Sequence, residues 1–296
     1  MKDINQNSGN TIISRLSDWL MTLPQYFIPQ HILSVIMHKL TQSNISWFKN
    51  GFIRFISWKF KVDITEAEQQ DITQYSSFNA FFTRELRKGI RPIAVGDDVV
   101  ASPVDGAISQ LGPIVDNAIV QAKGRNYKVD ELLAGDILLS ERFKHGQFAT
   151  IYLSPRDYHR IHMPLTGRLK SMSYVPGKLF SVNPRTARAV PKLFARNERV
   201  ICVFDTDFGE IVLVLVGAIF VGSMQTVWSG QITPPYGKHI QRWDYEGDEA
   251  ITLEKGQEMG RFNMGSTVVM LLPESMNTFS QEWQAGKKIR LGQALN

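Results

Sequence analysis

The chain has 296 residues, 43% of them hydrophobic and 21% charged, and a formal charge of +5. That length carries one large domain or two modest ones with a substantial core, and the composition excludes a disordered chain. The lone cysteine, Cys202, excludes an intramolecular disulfide and a cysteine-rich metal site; within Val200–Phe204 it reads as a small buried hydrophobe.

The charge is unevenly placed. Residues 1–61 hold seven Lys/Arg and two Asp/Glu, so the entire basic excess is N-terminal. Trp19, Tyr26, Phe27, Trp47, Phe48, Phe52, Phe55, Trp58 and Phe60 lie in the same stretch. Basic and aromatic residues together suit nucleic acid or an anionic membrane surface, and the dense aliphatic content between them favours the membrane.

In chain order, residues 1–10 are polar and expected to fray. Residues 11–23 predict an amphipathic helix, with Ile12, Leu16, Trp19, Leu20 and Leu23 near one face. Pro24 and Pro29 bracket a break. A second helix is expected over about 30–41. A third begins after Asn44, with Ile45, Phe48, Phe52, Phe55 and Ile56 on a common side. Asp63 and Glu66 have capping-box spacing for a short helix. Ser77 is placed to cap another, through Phe78, Phe81, Phe82 and Leu86, ending near Gly89.

From about residue 98 the texture changes to short apolar runs divided by Gly, Pro and Asp. Gln147–Leu153, Arg199–Phe204, Ile211–Val221 and Ser266–Leu272 read as strands. The fold class is therefore α+β: a mainly β catalytic domain preceded by N-terminal amphipathic membrane-surface helices. No apolar run reaches the roughly 20 residues of a spanning helix. The polar start does not read as a signal peptide, so the expectation is a protein on the synthesising side of the membrane.

Three neighbourhoods could carry chemistry. Ser102-Pro103-Val104-Asp105-Gly106 is turn chemistry, and Asp105 alone reads as structural. Tyr158-His159-Arg160-Ile161-His162-Met163-Pro164 holds two of the six histidines, three residues apart. In a helix they would share a face; in a strand they would point oppositely. A metal pair, an acid/base pair and two structural histidines all remain open there, though zinc lacks further ligands at a familiar spacing. Gly265-Ser266-Thr267 leads into an apolar strand and reads either as a capped turn or as an activated serine. The G-x-S-x-G elbow is absent around Ser266, which disfavours a conventional esterase.

Taken in order, these segments resemble the phosphatidylserine decarboxylase family, most closely its bacterial membrane-associated branch. The resemblance is carried by Phe78–Leu86, Arg91-Pro92-Ile93, Ser102–Gly106, Lys123–Tyr127, Tyr158–Pro164, Tyr174–Gly177, Ser181–Pro184 and Phe262–Thr267. Many family members have Leu where this chain has Met264, a conservative change. The resemblance implies a proenzyme that cuts itself between Gly265 and Ser266. It implies a β chain, 1–265, an α chain, 266–296, and a covalent pyruvoyl cofactor made from Ser266. Asp105, His162 and Ser266 would form the self-processing triad, with His162 as base and Asp105 orienting it. His159 would protonate the substrate carbon after carbon dioxide leaves a Schiff base with the pyruvoyl ketone. No metal is implied.

The implied organisation is an N-terminal membrane-associating helical region, 1–61, and a catalytic domain, 62–296. The implied partners are phosphatidylserine, an anionic membrane surface on the cytoplasmic side of the cell membrane, and a second αβ unit, with no nucleic acid. The alternatives are a non-pyruvoyl serine hydrolase using Asp105, His162 and Ser266, a basic membrane scaffold, and a metallohydrolase using His159 and His162.

Overall fold

The computed structural model describes residues 16–296, apart from 123, 221–222, 248–249 and 264. The first expected helix is seen over 16–22, here α1; the expectations for residues 1–15 lie outside the described residues. Pro24 sits at the start of a 3-10 turn, Leu23–Tyr26. Helix α2 is Gln30–Thr41 and α3 is Ser46–Phe60, closed by Lys61 in a left-handed conformation.

Two helical expectations are corrected. The Asp63 carboxylate accepts from the N–H and hydroxyl of Thr65, at 2.9 and 2.6 Å, which closes a turn instead of starting a helix. Ser77 does cap a helix, its Oγ accepting from Ala80 N–H at 3.1 Å, but this α4 ends at Phe82. The Thr83 hydroxyl bonds back to Asn79 O, and Thr83 O is taken by Arg160 Nε at 2.9 Å. A tertiary partner thus replaces the next helical turn.

The rest is mainly strand: β1 Gly106–Pro113, β2 Ala118–Ala122, β3 Arg125–Lys128, β4 Gln147–Tyr152 and β5 Arg160–His162. Then follow β6 Gly167–Val175, β7 Arg199–Thr206, β8 Gly209–Val216, β9 Met224–Thr226 and β10 Gly230–Gln231. The last are β11 Gln241–Asp244, β12 Ile251–Leu253, β13 Glu258–Phe262, β14 Thr267–Leu272 and β15 Lys288–Ile289. A nine-stranded sheet has the order β11-β6-β7-β8-β14-β4-β1-β15, with β12 also on β6. A smaller sheet runs β10-β9-β13-β5, and β2 pairs with β3. The apolar run expected as one strand to Val221 leaves the sheet after Val216.

The large sheet is buried on both faces. Val268, Met270 and Leu272 of β14 join one core with Ile108, Ile151, Cys202, Phe204 and Leu213. Val269 and Leu271 join the other with Phe148, Ile201, Val203, Val212 and Val214. Alternate residues point to opposite faces, so a strand covered on both sides must be apolar throughout. That explains the unbroken runs in β7, β8 and β14, and it places Cys202 in the core.

The N-terminal helices are attached to this body. Ile53 of α3 packs with Tyr75, Phe78, Phe81 and Phe82 in a third cluster. Gln30 Oε1 accepts from Leu179 N–H at 2.7 Å, and Gln25 Oε1 from Ser181 N–H at 2.8 Å. Their other faces are apolar and open: Phe27, Trp47 and Trp58 are 81%, 78% and 77% exposed. No described helix is long and apolar enough to cross a membrane.

Glu198 is fully buried beside this docking region, its Oε1 accepting from Tyr174 Oη–H at 2.5 Å. Burial pushes its carboxyl from an ordinary 4.5 up to about 7, against the opposing hydrogen bond from Tyr174. The folded chain therefore holds this proton to higher pH than the unfolded chain. The stability it contributes is present below 4.5 and is lost as pH rises through about 7. Glu198→Gln is expected to stabilise the chain at pH 8 by about 2 kcal/mol, with the gain shrinking toward pH 5. Urea midpoints of both proteins across that range check the trend.

Candidate active site

The Gly265–Ser266 peptide stands at the entrance of β14, the strand flanked by β4 and β8. Leu153 N–H donates to Ser266 O at 2.9 Å, extending the β4–β14 pairing by one step. The turn before it is tied down by side chains. Asn263 Oδ1 accepts from Asn79 Nδ2 of α4 at 3.2 Å, and Asn263 Nδ2 donates to Ser223 Oγ at 2.6 Å. Ser266 is fully buried, and its Oγ has no hydrogen-bond partner among the described residues. A buried hydroxyl left unpaired is costly, and such a group is available for reaction.

His159 lies against this peptide. A Cβ added to Gly265 would stand 3.4 Å from His159 Nε2 and 3.3 Å from Leu153 O, so glycine keeps this approach open. His159 is completely buried, with Phe82 against its ring at a centroid distance of 4.0 Å. Its Nδ1 lies 2.8 Å from Asp157 O; since a carbonyl only accepts, Nδ1 carries the proton and Nε2 a lone pair. That Nε2 has no partner among the described residues. Burial pushes the imidazole down to about 3, with the Arg84 charge lowering it further against the Asp157 hydrogen bond.

His162 points elsewhere, as three-residue spacing in an extended segment requires. Its Nδ1 donates to Gly256 O at 2.7 Å, and its Nε2 is 3.1 Å from the Tyr158 hydroxyl. Burial lowers its pKa and raises that of Tyr158, so a neutral imidazole accepts from a protonated phenol. Asp105 is held by Arg91, whose Nε lies 2.9 and 3.1 Å from its two oxygens and whose Nη2 lies 2.6 Å from Oδ2. Asp105 Oδ1 also accepts from Leu291 N–H at 2.7 Å. The fold thus brings His159, Gly265 and Ser266 together. No hydrogen bond joins Asp105 to His162, or His162 to Ser266, among the described residues.

Sequence reasoning gave no role to Phe82, Asn79, Asn263, Ser223 or Tyr158. Phe82 and Asn79 lie in the Phe78–Leu86 motif and Tyr158 in the histidine motif, so the signal was present without a partner to interpret it. Among the described residues no group of three or more His, Cys, Asp or Glu could hold a metal ion.

An apolar cavity of about 570 Å³ opens onto this peptide. Its walls are Met37 of α2, Phe52, Ile56 and Phe60 of α3, and Phe78 and Phe82 of α4; Gly265 lies in its lining. Among the described residues Lys59 is the only charged one lining it.

A buried serine hydroxyl, a buried imidazole and an apolar chamber thus meet at one internal glycyl peptide. A family model described as phosphatidylserine decarboxylase matches residues 78–296, and a second, PSD, matches residues 20–61. A phosphatidylserine decarboxylase proenzyme of Nitrosococcus oceani is 54% identical over 97% of this chain and 94% of its own length. One from Dechloromonas aromatica is 53% identical, over 95% of this chain and 98% of its own. One from Vibrio campbellii is 51% identical, over 90% and 95%. The chain belongs to the phosphatidylserine decarboxylase family.

The His159 geometry has a spectroscopic consequence. In a Ser266→Ala chain, nitrogen NMR of the imidazole is expected to report a neutral ring with the proton on Nδ1 from pH 8 down to about 4. A ring that takes up a proton near pH 6.5 would contradict the burial described here.

Proposed function

We propose that this chain is a membrane-surface proenzyme that cuts itself before Ser266 and then decarboxylates phosphatidylserine to phosphatidylethanolamine. Family membership makes it a pyruvoyl-dependent carboxy-lyase. One observation carries the substrate reading: the apolar chamber walled by the N-terminal helices ends at Gly265, so a lipid held there meets the cleavable peptide.

The residues present fit a pyruvoyl group at position 266. Ser266 is fully buried, its hydroxyl is unpaired among the described residues, and Leu153 N–H is bonded to the carbonyl that the group would keep. When formed, the pyruvoyl group supplies the electron sink for loss of carbon dioxide from the serine head group. Its formation uses the chain alone. Ser266 Oγ attacks the Gly265 carbonyl and the peptide C–N bond breaks, giving an ester and a free amine. Loss of the Cα proton and the Cβ–O bond then releases the Gly265 carboxylate and leaves dehydroalanine. Water displaces ammonia to give the ketone.

For the base that starts this sequence, the resemblance favours His162 oriented by Asp105, with His159 reserved for protonating the substrate carbon. From the present arrangement that role requires His162 to turn from Tyr158 to Ser266 and to gain a bond to Asp105, which Arg91 and Leu291 N–H now hold. A second reading is favoured by the unpaired Nε2 of His159 beside Gly265, already in its basic form. An incoming substrate carboxylate would raise the His159 pKa and so let it serve later as a proton donor.

The membrane reading rests on the exposed Phe27, Trp47 and Trp58 and on the basic excess in residues 1–61. Such a surface lets the enzyme reach a head group on the cytoplasmic side without drawing both acyl chains into water. We also infer from the resemblance that two αβ units pair, which sedimentation in detergent tests.

Ser266→Ala is expected to remain one chain on a denaturing gel. The triad reading expects His162→Ala to stay uncut and Asp105→Ala to cut slowly. It expects His159→Ala to cut but lose roughly 10²–10⁴ in carbon dioxide release. An uncut His159→Ala beside a normally cut His162→Ala would transfer the base role to His159.

Replacing Phe27, Trp47 and Trp58 together by Ser is expected to cut co-sedimentation with anionic vesicles severalfold while leaving the thermal transition in place. Unchanged co-sedimentation would contradict the membrane reading.

A further inference from the structure

A second cavity, about 270 Å³, shares no lining residue with the apolar chamber. Its lining holds more basic than acidic side chains, and the acidic ones are already engaged. Asp105 and Glu66 are both bonded to Arg91, and Glu66 also faces Arg290 at 3.5 Å. Asp157 faces Arg156 at 3.7 Å, and Asp63 is taken by Thr65. Arg84, Lys61 and Lys288 form no ion pair among the described residues.

Arg84 is the unusual member. The residue is 4% exposed, yet Nε and Nη1 have no hydrogen-bond partner among the described residues. Nη2 donates to Arg156 O at 3.3 Å, and the guanidinium lies 5.4 Å from the centre of the Phe81 ring. A buried guanidinium with two nitrogens unpaired among the described residues is destabilising unless an anion completes it. Its planar fork matches the oxygens of a phosphate, and Lys61 and Lys288 add point charges around the same space.

We propose that this cavity binds a phosphate group, held by Arg84 with Lys61 and Lys288, at a site separate from the one that takes the reacting lipid. Lys61 closes α3, the helix that carries exposed Trp58, so one wall of the cavity belongs to the proposed membrane face. The phosphate comes from an anionic lipid head group or from free phosphate. The cavity is too small and polar for acyl chains, so only the head group of a lipid would enter. Because Arg91 and Asp105 share the lining, occupancy also ties the α3 end to the segment that carries Leu291.

The test is calorimetric titration of the purified full chain in neutral detergent at constant ionic strength. Inorganic phosphate and glycerophosphoglycerol are titrated separately, the latter being a head group without acyl chains. Saturable binding of either probe is expected, weakened about tenfold in Lys61→Gln/Lys288→Gln and further in Arg84→Gln. Tighter binding of the ester identifies a lipid source; binding of inorganic phosphate alone identifies free phosphate. Should Arg84→Gln fail to fold, the double lysine variant decides. Binding by neither probe, or binding unchanged in the variants that fold, would overturn the site. Neither result depends on self-cleavage or turnover, so the decarboxylase reading is judged separately.

Discussion

The pairing of β14 between β4 and β8 is the constraint on which the site depends. Thr267 to Leu272 are held on both edges by antiparallel neighbours, and the Leu153–Ser266 hydrogen bond carries that order one residue further. The strand cannot slide without moving apolar side chains from one core into the other. Residue 266 is therefore fixed by the most buried part of the fold, although it lies in an irregular segment. The same pairing accounts for how a chain cut at this point stays assembled. A fragment beginning at 266 would supply a central strand, and further along it Leu291 N–H is bonded to Asp105.

Burial of the reacting groups follows from that position. His159 is kept neutral because it sits behind Phe82 and away from water, while its Nδ1–H is satisfied by a backbone carbonyl. Ser266 Oγ and His159 Nε2, unpaired among the described residues, are tolerated because the surrounding sheet supplies large compensating apolar burial. The N-terminal helices serve two surfaces at once. Their inward faces close the chamber that ends at Gly265, and their outward faces leave tryptophans in the open. An amphipathic helix can do both only when it is docked along one edge, as Gln25, Gln30 and Ile53 dock these.

Much of the fold was legible in the sequence. Proline breaks and apolar spacing placed α2 and α3 closely, and the uninterrupted Val/Ile/Leu runs marked strands covered on both faces. One of the misread elements was decided by a competing local turn and the other by a tertiary partner. Asp63 spends its carboxylate on Thr65, and Thr83 gives its carbonyl to Arg160, an interaction spanning 77 residues that no local pattern records. The site was legible as three motifs in a fixed order. The relative placement of the two histidines was legible only as a choice between a shared face and opposite ones. The extended backbone at His159–His162 selects the second, which directs one ring to Gly265 and the other to Gly256. Arg84 lies in the Phe78–Leu86 motif, but nothing local shows that this arginine will be buried without an ion pair among the described residues.

The central claim is that the Gly265–Ser266 bond is broken by the chain itself and that residue 266 becomes a ketone. Intact mass spectrometry of the purified, denatured protein tests it most directly. The account predicts two masses, with the smaller lighter by one ammonia than a 266–296 peptide that begins with serine. A single uncut mass, or a fragment that still begins with serine, would contradict it.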